Sequence, residues 1–247
     1  MWIRTKREMF DIIKRLADPR VLEDRVKLRK HIFSTYVWMR TGMLVIALAF
    51  PLVLWIVGGW LYGLQLQDSM SAYYWAPIKE GGDAPMRVWF VGLLFALGCC
   101  LLLYKGYAPL EDWALNIAGV CAICVALFPM CWKPVSECPS WSLHGFFAIV
   151  FFVLLALVAV LHALYALRVL RSRPSEEEDP PPRKGYATWY VVTGAVMVLA
   201  PVLTWIMFES NPARTFWVEI AGISAFCLFW GVQIVQIHRS DFDQDLA

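Results

Sequence analysis

From Phe146 to Leu161 the chain runs sixteen residues without one polar side chain. A half-buried strand, or a strand of a membrane barrel, alternates apolar with polar residues, so a run of this kind reads as a helix surrounded by apolar matter. Five other blocks share its character. Together they lie at Met43–Leu64, Val88–Tyr104, Ala114–Cys131, Leu143–Leu167, Thr188–Phe208 and Phe216–Ile237. Each approaches the roughly 20 helical residues that cross a hydrocarbon layer about 30 Å thick. The fold class expected is therefore all-α: a polytopic membrane protein with six transmembrane helices in a bundle, its first partner the lipid bilayer. Pro51, Pro129 and Pro201 fall inside these blocks and predict kinks.

Composition agrees. Hydrophobic residues make up 60% of the chain and charged ones 17%, against about 25% charged in a soluble domain. A soluble enzyme, a disordered chain and a nucleic-acid-binding domain are all excluded, and no nucleic-acid partner is expected. Thirteen Trp and fifteen Phe, many at block ends, suit side chains anchored at membrane–water interfaces.

The near-neutral net charge of +2 conceals a strong asymmetry. With six spans, eighteen Lys and Arg fall on the side of the termini and four, Lys79, Arg87, Lys133 and Arg214, on the other. Basic connections stay cytoplasmic, so both termini are expected inside. The sequence then divides into a basic cytoplasmic segment (1–40), a four-span unit (41–170), an acidic and Pro-rich cytoplasmic linker (171–186), and a two-span hairpin with its tail (187–247). Within the first segment, Trp2 to Leu16 reads as an amphipathic basic helix, with Trp2, Met9, Ile13 and Leu16 at helical spacing. Such a helix can lie on an anionic leaflet or pack on a neighbour while its charges enforce topology. Asp18-Pro19 ends it and starts the next.

Seven Cys and four His invite a metal or haem reading that their positions weaken. Cys121 and Cys124 form a Cys-x-x-Cys without the second ligand pair a zinc site needs. Cysteines inside spans behave as small hydrophobes. His144 and His162 share one span at a separation of about 27 Å along the helix, so no bis-histidine pair is evident. Neither metal nor cofactor is expected. Cys131 and Cys138 differ, because both belong to an outward loop that a disulfide can staple.

Two polar clusters remain. On the outer side, Ser69, Ser71, Tyr73 and Tyr74 occupy the first loop, Arg87 opens span 2, His144 opens span 4, and Glu219 lies one turn into span 6. Charges near the hydrocarbon edge face the protein interior, paired or lining a cavity. Arg87 with Glu219 is the natural pair, and the cluster either closes the bundle or forms a ligand pocket. On the inner side, Lys105 can reach Glu111 and Asp112 at the start of span 3, with Asn116 a turn farther in. Acids there complement the helix dipole, so a structural role suffices.

In order along the chain come Ser-x-Ser-x-Tyr-Tyr (69–74), Met-Arg (86–87), Phe-Val-Gly (90–92), Tyr-Lys-Gly-Tyr (104–107), Glu-Asp (111–112), Leu-Asn-x-Ala-Gly (115–119) and Ala-Leu-Phe-Pro (126–129). Together they resemble a group of uncharacterised multi-span bacterial membrane proteins, over residues 69–148. The resemblance implies a bacterial inner-membrane setting and no particular activity. Met130 departs from the small hydroxyl residue expected after Pro129, and the 131–138 loop is individual.

The favoured functional expectation is a non-enzymatic binder of a small molecule or lipid headgroup, a transporter or an accessory subunit, with an outward polar site. A homo-oligomer or a membrane-complex partner fits that reading. The alternatives are a membrane-embedded hydrolase or transferase using a Ser or Tyr with His144, and an ion channel. Catalysis of the first kind needs the nucleophile within hydrogen-bond reach of its base.

Overall fold

The computed structural model describes residues 19–76, 82–106, 108–131, 142–171 and 181–245. The amphipathic segment at Trp2–Leu16, Tyr107, Cys138 and most of the acidic linker lie outside them. The chain divides into two compact units, Met1–Met39 and Arg40–Ala247. In the first, residues 19–39 are helical.

All regular structure among the described residues is helical. Helix α1 spans Pro19–Leu52, α2 Met86–Leu103, α3 Pro109–Leu127, α4 Leu143–Arg171, α5 Pro181–Met207 and α6 Arg214–Asp245. Six helices are long and apolar enough to cross a membrane, the first over Lys30–Tyr62. Six such helices fit a membrane protein. Side chains directed outward agree: Trp60 is 85% exposed and Met207 79%. Apolar surface so extensive would aggregate in water but is at home in hydrocarbon.

Local sequence explains the breaks. Pro51 lacks the N–H that would bond back to Ala47, and just beyond it the helix widens to π geometry over Val53–Val57. A last turn, Gly58–Tyr62, ends at Gly63, whose φ of 64° is open to glycine at little cost. Helix α3 starts with Pro109 in its first turn and carries Glu111 and Asp112 there, beside its unpaired N–H groups. It stops at Leu127, so Pro129 lies beyond the helix and kinks nothing, contrary to expectation. Pro201 stays inside α5.

Neighbours in sequence are neighbours in space: α2 packs on α3, α3 on α4, α4 on α5 and α5 on α6. Small residues set one close crossing. A Cβ at Gly98 would lie 2.8 Å from the Gly119 carbonyl oxygen, and one at Gly119 would lie 2.7 Å from that of Gly98. The backbones of α2 and α3 therefore touch, as membrane helices do where both lack side chains. This order brings the starts of α2, α4 and α6 to one end of the bundle, where the connecting residues 63–76 bond to them.

Candidate functional site

That connection is polar, and its backbone must find partners. It does so by fastening itself to four helix ends. Residues Ser71–Tyr74 wind into a 3-10 turn. The Ser69 hydroxyl accepts the Ala72 N–H at 3.1 Å and donates to the Met130 sulfur at 3.8 Å. The Trp75 indole donates to the Met130 carbonyl at 2.9 Å, just beyond α3. Phe216 N–H, at the start of α6, donates to the Asp68 carbonyl at 2.9 Å. One turn later Glu219 Oε2 accepts the Met70 N–H at 2.6 Å. Arg87, opening α2, donates from Nε to the Tyr74 carbonyl at 3.2 Å.

The expected Arg87–Glu219 pair is therefore replaced. Arg87 is exposed, with its guanidinium 4.8 Å from the Tyr74 ring centre and 5.2 Å from that of Trp75. A guanidinium at a bundle end keeps its hydration and lies on aromatic faces. Glu219, inside, is used by a backbone amide instead.

His144 joins the cluster from α4. Its Nδ1 lies 2.8 Å from the Phe128 carbonyl oxygen and its Nε2 2.8 Å from Ser71 Oγ. A carbonyl only accepts, so Nδ1 carries the proton. In the neutral ring Nε2 is then an acceptor, and the Ser71 hydroxyl donates to it. Both side chains are buried. Tyr73 is wholly buried too, and its hydroxyl has no hydrogen bond of ordinary geometry. Burial pushes its phenol above the usual tyrosine range, with the nearby Gln67 backbone opposing the shift slightly. Tyr74 is half-buried against Trp75 and Phe90.

Beneath this cluster lies a cavity of about 60 Å³. Phe50, Leu97, Val125 and Phe151 are among its walls, and every lining residue is apolar except Ser71 and Glu219. Of the seven residues read from the sequence as the outer cluster, then, Ser71 and Glu219 reach the cavity and His144 holds Ser71. Ser69, Tyr73 and Tyr74 shape the turn, and Arg87 stays outside. The Met70 amide and the Phe128 carbonyl, which orient Glu219 and His144, are backbone groups that no residue pattern announces.

At the other end of the bundle Lys105 pairs with Asp112 at 2.7 Å, and the Gly106 N–H donates to the same carboxylate at 3.2 Å. Glu111 parts from them. It is buried and faces His162 Nε2 at 3.9 Å, while His162 Nδ1 lies 3.1 Å from the Val158 carbonyl. Asn116 is half-buried. Arg40, which counts in the sequence only as a topology charge, is completely buried, bonded to the Tyr104 hydroxyl and 5.8 Å from the Trp230 ring centre.

Cys99, Cys100, Cys121, Cys124 and Cys227 are free thiols, whereas Cys131 is in a disulfide. Cys138 lies outside the described residues. Among the described residues no three His, Cys, Asp or Glu gather as a metal set. No protein-family model matches the chain, and no curated protein or solved structure is similar to it.

Proposed function

We propose that the protein binds an amphiphile at the Ser71 end of the bundle, taking an alkyl segment into the cavity and meeting its polar end with Ser71, His144 and Glu219. The observation that carries this reading is the cavity itself: apolar walls that end on one hydroxyl and one carboxyl group. For a chain already dissolved in lipid, apolar walls offer no hydrophobic gain, because hydrocarbon surrounds it either way. Selectivity must come from the polar end, where a ligand group gains hydrogen bonds that hydrocarbon cannot supply. The charge asymmetry supports a site facing away from the cytoplasm, since the Ser71 end carries the basic-poor connections. The motif resemblance supports a bacterial inner membrane.

A long-chain alcohol bearing a photoreactive diazirine midway along its chain tests this in lipid nanodiscs. Crosslinks to Leu97 and Phe151, displaced by excess unlabelled alcohol, are expected. Ala148→Phe, which narrows the cavity, should remove them and spare crosslinks to outward residues such as Val153. Labelling of outward residues alone would refute the site.

A further inference from the structure

We infer that Ser71 is a nucleophile, that His144 is its general base, and that the protein transfers acyl groups from an ester whose chain lies in the cavity. The inference rests on the amphiphile reading and adds a reaction to it. Three observations carry it. The Ser71 hydroxyl lies 2.8 Å from His144 Nε2, within the reach a base needs. The opposite ring nitrogen is fixed 2.8 Å from the Phe128 carbonyl, so the tautomer leaving Nε2 free to accept is the one held. Ser71 also forms part of the cavity wall, so an acyl chain lying inside brings its carbonyl carbon to the hydroxyl. Nucleophile, base and orienting acceptor thus come from three separate parts of the chain. Here a backbone carbonyl holds the position that a carboxylate takes in the familiar serine triad.

In the first step the Ser71 oxygen bonds to the ester carbonyl carbon and its proton passes to His144 Nε2. The bond from that carbon to the alcohol oxygen breaks, and the departing alcohol takes the proton from His144. In the second step water, or the hydroxyl of a second alcohol, attacks the acyl-Ser71 carbonyl and gives its proton to His144. The bond to Ser71 breaks and the proton returns to Ser71 Oγ. The sum is ester plus water to acid plus alcohol, or the exchange of one alcohol for another. Glu219 reaches the cavity beside Ser71 and also holds the Met70 amide next to it.

An alkyl fluorophosphonate tests the nucleophile directly, since the serine oxygen displaces fluoride at phosphorus and the proton leaves through the base. The full-length protein in nanodiscs is treated with it, and the adduct is located by peptide mass spectrometry. A single adduct on Ser71 is expected, absent in Ser71→Ala and formed at least about 100-fold more slowly in His144→Gln. The adduct is located on the wild-type chain, so the outcome does not depend on any variant folding. No adduct, or an adduct on another residue, overturns the inference. Displaceable diazirine crosslinks alongside a missing adduct would leave the amphiphile site standing and remove only its chemistry. Loss of both would end both readings.

Discussion

Tyr73 holds a phenol where nothing receives its proton in good geometry, inside a turn that is otherwise well bonded. A buried hydroxyl left unmatched costs about 1–3 kcal/mol, so Tyr73→Phe should raise the thermal midpoint in detergent rather than lower it. The pH dependence has a definite sign. A phenol raised above its ordinary value near 10 contributes full stability below that value, and loses it as pH climbs through the higher folded one. Wild-type protein should therefore weaken on the alkaline side more steeply than Tyr73→Phe in the same melts. Arg87 and Glu219 supply a second measurement. With separate partners, Arg87→Met and Glu219→Leu should change stability additively to within about 0.5 kcal/mol. A coupling well beyond that in a double-mutant cycle would restore the ion pair read from the sequence. At this scale the residue types were legible and their partners were not. Ser71 and His144 could be assigned to the same end of the bundle, but 73 residues separate them and only the fold closes that gap.

Helices were more legible, because the length of an apolar block answers to a fixed thickness of hydrocarbon. Their ends were less so. The block at Met43–Leu64 marks only the lipid-facing part of a helix that begins far earlier, since a helix leaving the membrane keeps its backbone bonds while its side chains turn polar. The π-helical stretch after Pro51 had only the proline as its sign. Gly98 sits in an apolar run with no pattern of its own and Gly119 stands only as the end of Leu-Asn-x-Ala-Gly, yet the two hold α2 and α3 close. A methyl group at either would press on a backbone carbonyl that cannot step aside. Gly98→Ala and Gly119→Ala should each cost about 1–3 kcal/mol, seen as a lower melting midpoint. Gly92→Ala, where a Cβ meets nothing within 4 Å, is the matched control and should leave it unchanged.

For the whole molecule, the count of spans and the charge asymmetry make one joint forecast. Reporters fused after Asp241 or inserted near Glu177 should read cytoplasmic, and one near Gly82 should read as exported. An exported signal at Glu177 would contradict six spans with both ends inside. This forecast rests on bulk composition, loop by loop. The candidate site is written in contacts across the bundle, so it emerges only with the fold.

The connection over Ser71 also has a history in time. A ribosome delivers the chain from its N-terminus, and segments fold in roughly that order. Ser71 emerges early but has no imidazole partner until His144 follows. Its neighbour Met70 waits longer still, because the carboxylate that receives its amide lies 149 residues downstream. The site is thus finished only when α6 has been made, and a chain cut short in the linker would carry Ser71 and His144 without that fastening.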